Sequence, residues 1–494
     1  MIRLAGTHRH TSKRHGKVLA LVAVSLTAIF GMLGLVIDSA ILIAEHRHCQ
    51  NAADAASVAA ACALAEGGTV SQASTRAEEF VISFNELPDA EVTVNCPPTS
   101  GAYAGQTDFV EVIVSAPVST FFSLALGDNS SATVRTVSVA GVEAVPNNQS
   151  LVVLDPSPEP LSVLSVVPGI VAIPAILGGL EVEGLGRLIV DGAVAVNCEW
   201  GGVDENGESA AVGPGPPYAV AGTPLLGTSK LLAEDVKVTG GVDSVATVKH
   251  VDLSEPSPLR ANQSPIADPY ADLPVPVVSV DPINIDTTLR GSVTVATLPI
   301  LPKVVLQPGI YDWIYIISGR VRFEPGIYII RSTNPLTDVS LLVTGGQIEA
   351  EGVMFYFTDA SAYDVVMGLP DALDGESEPA VPGVLNLVPS VVVVEGLSAM
   401  TWTGLDDSTS LFDGVLFFQR RHDRRPIVVV QQLSGGPHTW SGSVYAKWGH
   451  LMLAGTGTME INAVVGTMRA AAIGDIRITP SEPLPPSFEV FLVE

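Results

Sequence analysis

The sequence predicts a membrane-anchored chain with a long N-terminal transmembrane helix, a small α+β domain and an all-β C-terminal domain, a right-handed β-solenoid. Three observations lead to this fold class. The run Val18–Ile37 is uncharged, residues 67–145 mix helical and alternating patterns, and short apolar runs recur after Pro146, each closed by Gly or Pro. The expected domain boundaries are 1–17 for a basic cytoplasmic tail, 18–66 for the helix, 67–145 for the α+β domain and 146–494 for the solenoid.

The N-terminal helix is predicted from Lys17 to Glu66. About 20 apolar residues at about 1.5 Å per residue cross the hydrocarbon core of a bilayer, so we expect lipid contact along Val18–Ile37. Asp38 is expected at the outer interface, where a charge is tolerated. The alanine-rich run Gln50–Ala65 continues the helix in water, and Gly67-Gly68 ends it.

The basic tail predicts the orientation of the chain. The tail contains no acidic residue, whereas the whole chain has a net charge of −27. Its basic residues are Arg3, Arg9, Lys13, Arg14 and Lys17. Basic flanks stay in the cytoplasm, so the rest of the chain is expected outside the inner membrane. A cleaved signal peptide is the alternative, although its apolar core is usually only about 7–15 residues long. The acidic body argues against nucleic-acid binding.

The small domain is predicted from local periodicity. Residues Ser71–Asn85 indicate a helix, and Val118–Leu126 indicates a second, short helix. Strands are expected at Glu91–Asn95, Phe109–Ser115 and Ala132–Val142, where apolar and polar residues alternate.

The C-terminal domain is predicted from its many strand-length apolar runs. A near-repeat, PGIY at Pro308–Tyr311 and again at Pro325–Tyr328, favours stacked rungs. A β-sandwich is the alternative architecture. The uncharged stretch Leu161–Leu180 is expected to form buried strands and turns, because its Pro and Gly residues interrupt a helix. The basic cluster Arg420–Arg425 is expected to be a solvated loop between two strands, and Asp268–Pro274 a turn.

The N-terminal segment resembles the TadE/TadG-like family of Flp (tight adherence) pilus assembly proteins. The residues that carry the resemblance are Gly16-Lys17-Val18, Val36-Ile37-Asp38 and Cys49–Ala56. Small family members are cut by a peptidase after Gly with Glu five residues on; Leu21 stands at that position here, which agrees with an uncleaved anchor. Weaker similarity to the family extends over Val112–Ala140, Asp268–Pro274, the PGIY turns, Gly414–Arg421 and Ser441–Gly457. The resemblance implies a non-catalytic role in assembling or anchoring a pilus or secretion apparatus.

The helix beyond the membrane is the expected contact for other pilus or secretion proteins, because small side chains let backbones approach closely. The candidate contact residues are Gln50, Asn51, Ala52, Ala53, Asp54, Ala56 and Ala60. A metal site is not expected, since His46 and Cys49 are the only pair of ligand types on one helix face there. Cys62 and Cys96 are one conceivable disulfide among several pairings of Cys49, Cys62, Cys96 and Cys198.

Catalytic motifs and cofactor-binding loops are not found in the sequence. Two other functions remain open. A polysaccharide-acting β-helix enzyme would need a facing pair among Asp312, Glu324, Glu349 and Glu351. A surface adhesin or carbohydrate-binding protein would need exposed aromatic residues, although core or edge packing is their more usual fate. The candidate aromatic residues are Tyr311, Trp313, Tyr315, Trp402, Trp440, Tyr445 and Trp448.

Overall fold

The computed structural model of the chain describes residues 15–65, 68–120, 131–158, 178–224, 229–358, 360–375, 377–379, 388–396, 398–431 and 438–493. The chain divides into two compact units. Unit 1 comprises Met1–Val145 and Phe488–Glu494, and unit 2 comprises Pro146–Ser487. Residues 1–14 of the expected basic tail and most of Leu161–Leu180 lie outside the described residues.

Two of the helices that the sequence indicates for unit 1 are found at the expected positions. Helix α1 is His15–Ala65, 51 residues long. Helix α2, Val70–Glu79, begins with a capping box, in which Thr69 and Gln72 bond each other's backbone N–H groups. It continues as one turn of π-helix, Phe80–Phe84. Short 3-10 turns occur in unit 2 at Val245–Thr247 and Asp371–Leu373.

The segment Val18–Ala65 of α1 is, by length and composition, apolar enough to cross a membrane, with a mean hydropathy of 2.5 in its most apolar window. Only 6% of that window is buried within the protein. Asp38, at the end of the apolar run, is itself buried. The exposed apolar surface fits a lipid environment.

The strands, in chain order, are β1 Glu91–Asn95, β2 Phe109–Ser119, β3 Ser131–Asn147, β4 Gln149–Val153, β5 Gly178–Gly184, β6 Leu188–Val190, β7 Ala193–Val196, β8 Tyr218–Pro224, β9 Leu231–Ala233, β10 Asp235–Val238, β11 Val248–His250, β12 Leu259–Arg260, β13 Leu289–Ala296, β14 Val304–Leu306, β15 Gly309–Ser318, β16 Arg320–Phe323, β17 Gly326–Ile330, β18 Leu341–Val343, β19 Gln347–Ala350, β20 Val353–Phe357, β21 Val391–Val394, β22 Met400–Thr403, β23 Val415–Gln419, β24 Ile427–Val430, β25 His438–Thr479 and β26 Leu484–Leu492.

Unit 1 contains a four-stranded sheet in the order β1-β2-β3-β26. Strands β1 and β2, and β2 and β3, pair antiparallel. The short helix predicted at Val118–Leu126 is wrong at its start, because Val118 and Ser119 belong to β2. The reason is that the alternation of buried residues runs on to Val118. Residues 121–126 lie outside the described part of the chain.

The fourth strand of this sheet comes from the far end of the sequence. The sequence analysis assigned residues up to 494 to the C-terminal domain, but 488–494 belong to unit 1. The Val493 N–H donates to the carbonyl of Val139 at 2.9 Å. The Phe491 ring meets the Phe109 ring edge to face at 6.1 Å. Both rings cover Gly141, where a Cβ would lie 2.6 Å from Phe109 and 2.7 Å from Phe491.

Unit 2 is a large, mostly β region with parallel pairing. Most of its strands pair in parallel with the strand three positions later in the chain. One part of the unit contains the series β15–β18–β21–β24, β16–β19–β22 and β17–β20–β23. The other contains β4–β7–β10–β12, β5–β8 and β6–β9–β11.

Strand β25 joins these two parts. It is a run of 42 residues that pairs on one side with β22, β23 and β24 and on the other with β4, β5 and β6. The first and last strands of unit 2 are therefore neighbours, with Leu151 paired to Ala463. Because of this arrangement, the chain can enter and leave unit 2 at adjacent points.

The two PGIY turns lie on neighbouring parallel strands, β15 and β17. The Tyr311 hydroxyl donates to the Gln307 carbonyl at 2.6 Å, and the Tyr328 hydroxyl donates to the Glu324 carbonyl at 2.7 Å. The two rings stack at 5.9 Å. Tyr311 pairs with Ile330 and Tyr328 with Gly309, so the equivalent tyrosines lie two residues out of register and stack side by side in the core.

A long connection, residues 262–288, crosses unit 2 between β12 and β13; we call it the strap. Asn197 forms two hydrogen bonds with the backbone of Ile266, at 2.8 and 2.9 Å. Ile285, near the other end of the strap, pairs with Ile327. Between them, apolar strap residues pack on the outer side of the strands in one buried cluster. The strap therefore ties β7 to β17, in the two different parts of unit 2.

Candidate functional site

The C-terminal half of α1 is held against β3 by polar contacts. The Gln50 amide donates to Asp54 at 2.8 Å and to the Val137 carbonyl at 3.2 Å. The Ser57 and Ser138 hydroxyls are hydrogen-bonded at 2.9 Å. These contacts fix which side of the helix faces the sheet.

The predicted partner-contact residues fall into two groups. Ala52, Ala53, Ala56 and Ala60 are completely buried and pack in the core of unit 1, together with residues of α2 and β2. Their small side chains thus serve close packing within this chain. Asn51 is exposed, and Gln50 and Asp54 are half-buried.

A stripe of α1 lies at the edge of the unit 1 core, with Val58 packed against it. It starts at the exposed Asn51 and continues through the half-buried Ala55, Val58 and Cys62. The spacing of three or four residues keeps these positions on one helix face. A partner helix would meet this stripe rather than the buried alanines.

Cysteine and histidine residues give no sign of a metal site. No disulfide joins Cys49, Cys62, Cys96 or Cys198, all four of which the structure describes. Among the described residues no group of three or more His, Cys, Asp and Glu side chains is placed to hold a metal ion. His46 is exposed, and the His48 ring is hydrogen-bonded to the carbonyl of Asn85 at 2.9 Å.

Most of the candidate catalytic carboxylates form ion pairs with basic residues. Three of the four do so: Asp312 with Arg331 at 3.1 Å, Glu324 with Arg322 at 3.3 Å, and Glu349 with Lys303. Glu351 is exposed. Each paired carboxylate has a different cation as its partner, which is typical of structural ion pairs along parallel strands.

Most of the candidate aromatic residues lie in the core. Tyr311, Tyr315, Trp402, Trp440 and Tyr445 are buried. The other two, Trp313 and Trp448, are half-buried. Trp402 and Trp440 stack on each other at 5.4 Å. The packing role that the sequence favours over a carbohydrate-stacking strip is confirmed for the five buried rings.

The predicted turn at Asp268–Pro274 is part of the strap. One Asp268 oxygen accepts from the Tyr270 backbone N–H at 2.9 Å, as in an Asx-turn. The other accepts from the Tyr445 hydroxyl at 2.8 Å and lies 3.6 Å from the Lys447 ammonium. The turn also anchors the strap to β25.

The cluster Arg420–Arg425 is a loop between β23 and β24, as predicted, but the prediction that this loop is solvated is wrong, because its arginines form ion pairs and hydrogen bonds within unit 2. Arg420 bonds Asp374 at 2.7 Å and Asp371 at 3.2 Å. The Arg421 guanidinium donates to the strap carbonyls of Tyr270 at 2.8 Å and Leu273 at 2.7 Å. The other pairs are Arg424 with Asp155 and Glu378, and Arg425 with Asp423. The partners Asp155, Asp371 and Asp374 are distant in sequence, so the pattern around the cluster does not indicate them.

Sequence reasoning also missed a cavity of about 720 Å³ in unit 1. We call it the arginine cavity; it is lined by Leu42, Ile43, His46 and Arg47 of α1 and by Thr133, Val134 and Arg135 of β3. Arg47 and Arg135 are exposed, and in the described part of the chain neither appears in an ion pair. The sequence does contain a signal, because Arg47 lies three residues after the last apolar residue of the run, Ala44, and Arg135 lies in a predicted strand.

Comparison with known families gives one match. Residues 16–63 match the model of a family described as putative Flp pilus-assembly TadE/G-like. No curated protein and no solved structure is significantly similar to the chain. The matched range covers the apolar part of α1 and nearly all of its alanine-rich continuation. The resemblance that the sequence indicates is therefore confirmed for this segment: residues 16–63 form a TadE/G-like Flp pilus-assembly domain.

Proposed function

We propose that the protein is a non-catalytic, membrane-anchored component of a Flp/Tad-type pilus assembly or secretion apparatus. In this proposal α1 crosses the cytoplasmic membrane once, with residues 1–17 inside and the folded units outside. The observation that carries the proposal is that the family match over 16–63 coincides with the long apolar helix. The orientation is supported by the basic tail and the acidic remainder of the chain.

We also infer that unit 2 is a right-handed β-solenoid. The inference is supported by the parallel pairing of most strands with the strand three positions later in the chain, because three strands per turn of a coil produce this pattern. Parallel crossover connections are right-handed in nearly all proteins. The ion-paired carboxylates and buried aromatic rings favour a structural role for this unit over catalysis or glycan binding.

The proposed partner contact is the stripe of α1 that starts at Asn51, together with the half-buried Gln50 and Asp54 beside it. Asn51 is the most accessible of these residues. The stripe follows the apolar segment along α1. One partner helix could therefore contact the apolar segment within the membrane and the stripe outside the membrane.

The topology is tested by membrane fractionation and protease treatment of spheroplasts with the full-length chain. We expect the chain in the membrane fraction, units 1 and 2 digested from outside, and a protected fragment that contains residues 1–17. A chain in the soluble fraction, or folded units protected from the protease, would overturn the proposal.

The partner is tested by placing a photo-cross-linking amino acid at Asn51 in cells that assemble the pilus. The matched control is Glu78, an exposed residue of α2. We expect a cross-link from Asn51 to a pilus or secretion component, identified by mass spectrometry, and a much weaker one from Glu78. Equal labelling from both positions contradicts the stripe as the contact, and hydrolysis of a polysaccharide by the purified chain contradicts the non-catalytic role.

A further inference from the structure

The arginine cavity combines an apolar wall with two cationic groups. Leu42, Ile43, His46 and Arg47 lie on one side of α1, because their spacing is one and four residues. Ile43 is 58% exposed although it is a large apolar residue. Arg135 reaches the same cavity from β3, where its neighbour Val134 is buried.

The charge of the cavity is opposite to that of the chain. The net charge of the protein is −27, yet the cavity lining contains Arg47, Arg135 and His46 and no acidic residue. Glu45 is close in sequence, but a spacing of two places it on a different face of the helix from Arg47. By contrast, the arginines at 420, 421, 424 and 425 are all engaged inside unit 2. The arginine cavity is thus a local cationic site on an acidic protein.

The position of the cavity along α1 matches one surface of a bilayer. From residue 17 to residue 47 a helix extends roughly 45 Å at about 1.5 Å per residue. A bilayer with its headgroups is about 40–45 Å thick. Between these positions the charged residues are Asp38 and Glu45, both within the ten positions before Arg47. With residue 17 at the inner surface, Arg47 therefore lies in the outer headgroup layer.

We propose that the arginine cavity binds the phosphate headgroup of an anionic phospholipid in the outer leaflet. This inference rests on the proposed function in one respect, namely that α1 crosses the membrane. Guanidinium groups bind phosphate oxygens in pairs, which suits Arg47 and Arg135 on two sides of one headgroup. The His46 ring adds a hydrogen-bond donor, and Leu42 and Ile43 contact the glycerol and the first methylenes of the acyl chains. The lipid holds unit 1 at a fixed height and rotation on the membrane.

The test measures lipid retention by the full-length protein in detergent. Native mass spectrometry counts bound phosphatidylglycerol and phosphatidylcholine of the same chain length, with and without millimolar inorganic phosphate. We expect the wild type to prefer phosphatidylglycerol, and Arg47→Gln and Arg135→Gln each to reduce that preference about fivefold. Arg47→Lys keeps part of the preference, because the charge remains. The control is Arg76→Gln, which removes an exposed arginine of α2.

Each outcome decides for or against the proposal. Equal retention of both lipids by the wild type, or an equal effect of Arg76→Gln, overturns it. Complete displacement of phosphatidylglycerol by millimolar phosphate overturns it as well, because the site would then bind free phosphate. If the protein stays in the membrane fraction but shows no lipid preference, only this inference fails. If it is found in the soluble fraction, the anchor itself fails.

Discussion

Replacing Glu111 by Gln is expected to loosen the loop between β1 and β2. Glu111 is buried, and its carboxylate accepts from the Asn95 amide at 2.7 Å, the Thr99 hydroxyl at 2.8 Å and the Thr99 backbone N–H at 3.2 Å. Ser100 donates to the other oxygen at 2.5 Å. Glutamine keeps the size of the side chain but removes the charge and turns one acceptor into a donor.

The expected loss of stability in Glu111→Gln follows from the pKa of Glu111. Burial raises this pKa, but the hydrogen bonds from Ser100, Thr99 and Asn95 outweigh burial and lower it from 4.5 to about 2. A shift of this size corresponds to at most about 3 kcal/mol of stability, and solvent screening near the loop leaves about 1–2 kcal/mol. Because the folded-state pKa is lowered, this stability is present above pH 4.5 and is lost as the pH falls towards about 2.

The assay is hydrogen–deuterium exchange of the loop peptide in full-length protein, with the variant and the wild type compared at equal pH. At pH 7 we expect exchange of the Thr99 amide to be about 5–30 times faster in Glu111→Gln. The difference shrinks below pH 4.5. The matched control is Glu91→Gln, which changes an exposed carboxylate on β1 and leaves exchange unchanged. Identical exchange at pH 7, or a difference that persists at pH 2, would refute the reasoning.

Three further predictions concern single residues. Gly141→Val should force the Phe109 and Phe491 rings apart and lower the stability of unit 1 by about 1–3 kcal/mol. The loss is measured as reduced resistance to proteolysis. Wild-type resistance in the variant would contradict the packing described at this glycine. Burial raises the pKa of Cys198 to about 12. We therefore expect iodoacetamide at pH 8 to leave Cys198 unmodified in the folded chain and to modify it after unfolding, as measured by mass spectrometry. Rapid modification of the folded chain would count against this burial. Burial, together with the nearby charge of Arg469, lowers the pKa of His450 from 6.5 to about 3. Unit 2 should therefore lose stability as the pH falls from 6.5 towards 3, and His450→Gln should remove this pH dependence. Equal slopes of melting temperature against pH in the variant and the wild type would contradict the prediction.

Local signals in the sequence predict the helices and many of the strands. The apolar run and the alanines predict α1, which is helical throughout the described range His15–Ala65. The strand at Glu91–Asn95 has the predicted bounds. Alternation of apolar residues also indicates β2, but the predicted strand ends at Ser115 and the observed one at Ser119, because the sequence pattern from Val118 onward is interpreted as a short helix. Helices and strands of this kind depend mainly on residues close in sequence, so local sequence patterns predict them.

Long-range contacts could not be predicted in the same way. Nothing near Arg424 points to Asp155, and nothing near Leu484–Leu492 points to β3. The alanines of α1 illustrate the same limit, since small residues fit a partner protein as well as the sheet and α2 of the same chain. The arginine cavity is formed by two elements that are distant in sequence, and only the fold brings Arg47 and Arg135 together.

The strand β26 has a consequence for the order of folding during synthesis. Strand β3 is made before unit 2, and its neighbour β26 is made after it. Until the ribosome has translated β26, one edge of β3 has no partner strand, and an open edge invites pairing with other chains. A nascent chain interrupted anywhere within unit 2 therefore exposes this edge, which marks prematurely terminated products for chaperones or proteases.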